Sequence, residues 1–165
     1  MEMSENSRVW IYQSDRGLNA SESQQIQELL NDFTSQWLAH GNQLAAKGEV
    51  RYNRFLILMV DESKAGATGC SIDKSVGLMK QIEAQFRVNL FDRFNIAYRD
   101  GERIISCGKQ EFEKLISVGK VHENTIVFNN LVQTVAELKH QWEVPFKNSW
   151  HQQVFGNPFP ASNTA

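Results

Sequence analysis

Cysteine is scarce in this chain: Cys70 and Cys107 are the only two among 165 residues. Two cysteines make no disulfide framework, and their spacing is not that of a zinc pattern. The four histidines show no His-x-x-x-His spacing, so the sequence assigns no metal site. Also missing is any apolar run near the roughly 20 residues that a membrane-spanning helix needs. Residues 1–7 have neither the basic start nor the apolar core of a signal peptide, so the expected location is the cytoplasm, without membrane insertion. An excess of one charge is missing as well. The net charge is −2, the isoelectric point is near 6.1, and Lys and Arg are scattered instead of forming a stripe. Binding to a phosphate backbone needs such a stripe, so no nucleic-acid partner is expected.

What the chain does have is an ordinary globular balance, with 41% hydrophobic and 22% charged residues. At this size folding removes roughly 70% of the unfolded surface from water, enough for a core without staples. No repeat or linker-like stretch interrupts it. One domain over 1–165 is expected, with 1–7 and 156–165 as loose tails.

Periodicity supplies the elements. Arg8–Gln13 alternates like a strand. Asn19 and Glu22 have the capping-box form, and Ile26, Leu29, Leu30, Phe33, Trp37 and Leu38 then share one helical face. His40-Gly41 reads as the end of that helix. Residues 49–52 alternate as a strand, and residues 55–60 form an apolar run that reads as a strand buried on both faces. Ser71 or Asp73 can cap the next helix, with a buried stripe of Ile72, Val76, Met79, Ile82 and Phe86 and with Gly77 in its interior. Asp100-Gly101 between two strand-like runs predicts a hairpin. A short helix at 111–118 closed by Gly119, a strand at 125–128, and a helix from Asn130 and Gln133 to Trp142, ended by Pro145, complete the body. Residues 147–155 are expected to fold back onto it. The expected class is α+β: a mixed β-sheet with helices packed on it, with the β-α-β-β-α-β order of a ferredoxin-like core and a C-terminal strand–helix extension.

Candidate chemistry concentrates in residues 54–86. There a buried strand ends at Asp61 and Glu62, and a small-residue loop leads to Gly69-Cys-Ser-Ile-Asp73-Lys74-Ser75. A phosphate-binding loop needs a glycine directly before its lysine; here that position is Asp73. A simpler reading is a helix N-terminus whose free N–H groups and dipole attract a small anion beside Lys74, with Gly69, Ser71 and Asp73 as neighbours. Against it stands plain capping by Ser71 or Asp73. Cys70 at that helix start is a candidate nucleophile, with His40, His122, His140 or His151 as its base. The alternative is a small buried hydrophobe. Asp61 is the candidate general base, and with Glu62 and Asp73 it offers oxygen ligands for Mg²⁺. Adjacent strand residues point to opposite faces, however, which separates Asp61 from Glu62. Trp150, beside His151, is the aromatic expected to face a groove or a partner, and Asn129-Asn130 is read as a turn or a ligand contact. Two functions stay open: a binding or interaction protein, with a protein partner or a homo-oligomer, and an enzyme centred between Asp61 and Lys74. No cofactor is identified.

Several stretches carry a resemblance: Val9-Trp-Ile-Tyr-Gln13, Phe33-x-x-x-Trp37-x-x-His40-Gly41, Val60-Asp-Glu62, Gly69-Cys-Ser-Ile-Asp73, Thr125-Ile-Val-Phe-Asn-Asn-Leu-Val132 and Ser149-Trp-His151. Over most of 8–155 the chain resembles a family of short bacterial proteins commonly labelled "ABC transporter ATPase". That label implies ATP binding. The resemblance brings no catalytic residue with it, and the chain departs from the label at Asp73, in its short length and in having no Leu-Ser-Gly-Gly-Gln-like signature.

Overall fold

The computed structural model describes residues 2–155. The expected tail at 156–165 lies outside the described residues. Contacts gather the chain into two compact units. One comprises the chain up to Asp92 together with Asn130–Lys139; the other comprises Arg93–Asn129 and the residues from His140 on.

In the first unit, β1 (Arg8–Gln13), α1 (Ala20–Ser35), the short strands β2 (Leu38–Ala39) and β3 (Asn42–Gln43), β4 (Ala45–Arg51), β5 (Phe55–Asp61) and α2 (Gly69–Phe86) follow one another. β5 is central, as its unbroken apolar run requires: residues 55–60 are all buried, and β1 and β4 pair on either side of it, both antiparallel. β1 and β4 therefore run the same way with β5 inserted between them, which is a split β-α-β arrangement. Every ladder among the described residues is antiparallel, so the sheet is not mixed. The strand after α2 does not complete this sheet. Beside β1 lies residue 134 instead, bridged to Arg8, with Val9 N donating to Gln133 O and Val135 N to Ser7 O. The same contacts tie down residues 2–7, read from the sequence as loose: Met3 and Ser7 are buried.

α1 opens with the expected capping box: Asn19 Oδ1 accepts from Glu22 N at 2.8 Å, and Glu22 Oε1 accepts from Asn19 N at 3.0 Å. Ile26 and Leu30 bury its inner face over β4. A Cβ on Gly48 would stand 2.9 Å from Leu30 Cβ, so glycine permits this close approach. Gln27 then reaches the outer edge of β4, where its Nε2 donates to Gly48 O and its Oε1 accepts from Val50 N, each at 2.9 Å. The side-chain amide occupies edge groups that a further strand would otherwise use.

The helix ends sooner than its apolar pattern suggests. Ser35 is its last residue, and His40-Gly41 is not its cap but the two-residue turn joining β2 to β3. Both turn residues have positive φ, 51° and 78°, as a type I′ hairpin demands. Gln43 makes this outcome favourable, because its Nε2 donates to Thr34 O, Trp37 O and Leu44 O at 3.0–3.2 Å. One of those oxygens is an orphan carbonyl of the helix end.

α2 is capped by Thr68, not by Ser71 or Asp73. Thr68 Oγ1 accepts from Ser71 N at 3.2 Å, and Ser71 Oγ accepts from Thr68 N at 2.7 Å. Met79, Ile82 and Phe86 are buried as expected, but Ser71 and Ser75 take the inward places assigned to Ile72 and Val76. The serines can turn inward because each hydroxyl is satisfied locally, Ser71 by the capping box and Ser75 by donating to Ile72 O at 2.6 Å.

The second unit holds β6 (Ile96–Asp100), β7 (Arg103–Cys107), α3 (Lys109–Ser117), β8 (Ile126–Phe128), β9 (Glu143–Pro145) and α5 (His151–Phe155). Its sheet has the order β7-β6-β8-β9. Asp100 pairs with Arg103, so the β6–β7 turn is Gly101-Glu102, one residue later than read. The helix expected up to Trp142 is the shorter α4 (Val135–His140), whose first turn is held by Thr134 Oγ1 accepting from Glu137 N. Pro145 does not end that helix; it closes β9, an edge strand, where a missing N–H costs nothing. Ile96, Tyr98, Phe112, Ile116, Val127 and Phe146 form the core, and Phe155 of α5 packs against Phe112 and Phe146. Helices and antiparallel sheets thus make an α+β fold. Among the described residues no helix is long and apolar enough to cross a membrane.

Candidate functional site

Where the β2–β3 turn meets the start of α2, the first unit has an open hollow of about 450 Å³. Leu38, His40 and Gly41 line it from the turn, and Thr68, Gly69, Cys70, Ser71 and Lys74 from the helix. The two sides are joined by the buried indole of Trp37, whose Nε1 donates to Ser71 O at 2.8 Å. Thr68 takes care of two first-turn donors, Ser71 N through its hydroxyl and Ile72 N through its carbonyl. The remaining two, Gly69 N and Cys70 N, have no acceptor among the described residues. These N–H groups carry the positive end of the helix dipole.

Of the residues singled out from the sequence, Gly69, Cys70, Ser71 and Lys74 come together here. Cys70 and Lys74 are exposed, whereas Ser71 is buried and engaged in the capping box. Asp73 is exposed on α2 but does not line the hollow, and neither does Asp61. Asp61 Oδ1 accepts from Ser63 N at 3.0 Å, and that bond, with the Ser63 side chain and Lys64, holds its carboxyl below the usual range. Glu62 Oε2 accepts from Ala67 N at 2.9 Å and so shapes the loop leading into α2. Asp61, Glu62 and Asp73 therefore do not converge, and no cluster of three or more metal-ligating side chains occurs among the described residues. No carboxylate lines the hollow, so its ionisable side chains are those of His40, Cys70 and Lys74.

His40 is the member that the sequence did not single out from the other histidines. Read as a helix end, it would sit in the last turn of α1; in the type I′ turn it faces the start of another helix. The available signal was the residue-Gly pair at 40–41, flanked by short runs able to pair.

The other candidates are placed elsewhere. Cys107 is half-buried, and burial, with Glu111 nearby, pushes its thiol up to about 11. His122 Nδ1 accepts from Asn124 N, and Asn130 Nδ2 donates to Gln13 Oε1. His151 is buried, hydrogen-bonded through Nδ1 to Ser149 Oγ at 2.6 Å, and burial pushes its pKa down to about 4. Trp150 is partly buried: its ring stacks on His151 with centroids 3.9 Å apart, and its buried indole N–H has no acceptor among the described residues.

Comparison with protein-family models, curated proteins and solved structures found no match.

Proposed function

We propose that this is a cytoplasmic bacterial binding protein whose hollow between the β2–β3 turn and α2 takes a small anionic ligand. Bacterial origin and location rest on the family resemblance and the sequence composition. One observation carries the ligand class: the unpartnered N–H groups of Gly69 and Cys70 open onto a hollow that Lys74 and His40 line and no carboxylate does. Backbone N–H groups at a helix start, joined by a lysine, suit phosphate, sulfate or carboxylate. The ATPase implied by the family label fits less well. The residues that would have to wrap around a triphosphate are already helical from Gly69, and Asp73 precedes Lys74.

Titration of inorganic phosphate into ¹⁵N-labelled protein should shift the Gly69 and Cys70 amide resonances saturably, and Lys74→Ala should weaken the effect several-fold. Unmoved resonances at millimolar phosphate would rule the reading out. Mg-ATP tests the label separately: a rise in melting temperature beyond that given by phosphate alone would revive it.

A second reading has its own observation. Cys70 and His40 line the same hollow, the pairing a thiol-dependent enzyme needs, with His40 as the base for the Cys70 thiol. A neutral-pH thiol probe should then label Cys70 much faster than Cys107, and His40→Ala should slow it. Equal, slow labelling of both cysteines would leave the binding reading alone.

A further inference from the structure

We draw no further inference here: the strongest candidate, the Cys70 and His40 side chains that line the hollow from α2 and from the β2–β3 turn, belongs to the site already described, and nothing in the structure shows what reactant it takes.

Discussion

Trp37 Nε1 and Ser71 O are 2.8 Å apart in the interior of the first unit, and this bond fixes the β2–β3 turn against the first turn of α2. It joins the two walls of the hollow, so its loss should register in stability and in binding together. Trp37→Phe keeps an aromatic ring but removes the donor. Losing a buried hydrogen bond of this kind costs about 1–3 kcal/mol, to be read from urea unfolding. The phosphate-induced shifts at Gly69 and Cys70 should shrink in the same variant, while those of the second unit's amides stay as they were.

Two glycines should respond to alanine with opposite sign. At Gly48 the added methyl would meet Leu30 Cβ at 2.9 Å, and α1 would have to move off β4. Gly48→Ala should destabilise by about 1–3 kcal/mol. At Gly77, inside α2, an added Cβ meets nothing within 4 Å. Gly77→Ala should stabilise by about 1 kcal/mol through helix propensity and a less flexible unfolded chain. Denaturation midpoints of the pair, at unchanged m-values, decide both.

Acid should weaken the second unit through His151. Its folded pKa, about 4, lies below the ordinary 6.5, because burial disfavours the cation. Above the ordinary value both states are neutral, and stability does not change with pH. As pH falls from 6.5 towards 4, the unfolded chain takes up a proton that the folded one refuses, so stability declines through that window and levels off below it. The loss approaches about 3 kcal/mol at its full extent. Hydrogen-exchange protection factors, taken against the intrinsic rate at each pH, should fall in β6, β8 and α5 between pH 6.5 and 4. His151→Gln should flatten that dependence, and an unaltered profile in this variant would refute the assignment.

Glu22 gives the first unit a separate and lower acid window. Arg16 grips both carboxylate oxygens, at 2.7 and 2.9 Å, and with the Asn19 N–H holds the carboxyl at about 2. Because the folded pKa is depressed, the stabilisation is present above the ordinary carboxylate value of 4.5 and is lost as pH falls from there towards 2. Arg16 Nη2 also donates to Phe86 O at 2.7 Å, so it links the start of α1 to the end of α2. Glu22→Gln should therefore lower stability at neutral pH and remove part of the acid-induced loss. The effect should diminish in high salt, since the pair is in part open to solvent.

Sequence by itself determined much of what depends on neighbours a few residues away, the Thr68–Ser71 cap of α2 and the exact β6–β7 turn excepted. The Asn19–Glu22 capping box formed as written, because both partners lie within one turn. The apolar run at 55–60 became the central strand, because it carries no polar face to expose. The α+β class followed from the alternation of such runs. Cys70, Ser71 and Lys74 fell in one place because one helix turn brackets them. Tertiary structure decided what turned on competition between local and distant partners. Phe33, Trp37 and Leu38 keep helical spacing, yet the chain leaves the helix at Ser35, since Gln43 supplies donors to the freed carbonyls and Trp37 finds Ser71. Ser71 and Ser75 replaced Ile72 and Val76 on the inner face of α2, since hydroxyls satisfied in place carry little cost on burial. The presence of His40 beside the start of α2, and with it the hollow, depends on contacts between residues more than twenty-five positions apart. No local periodicity encodes a relation of that kind.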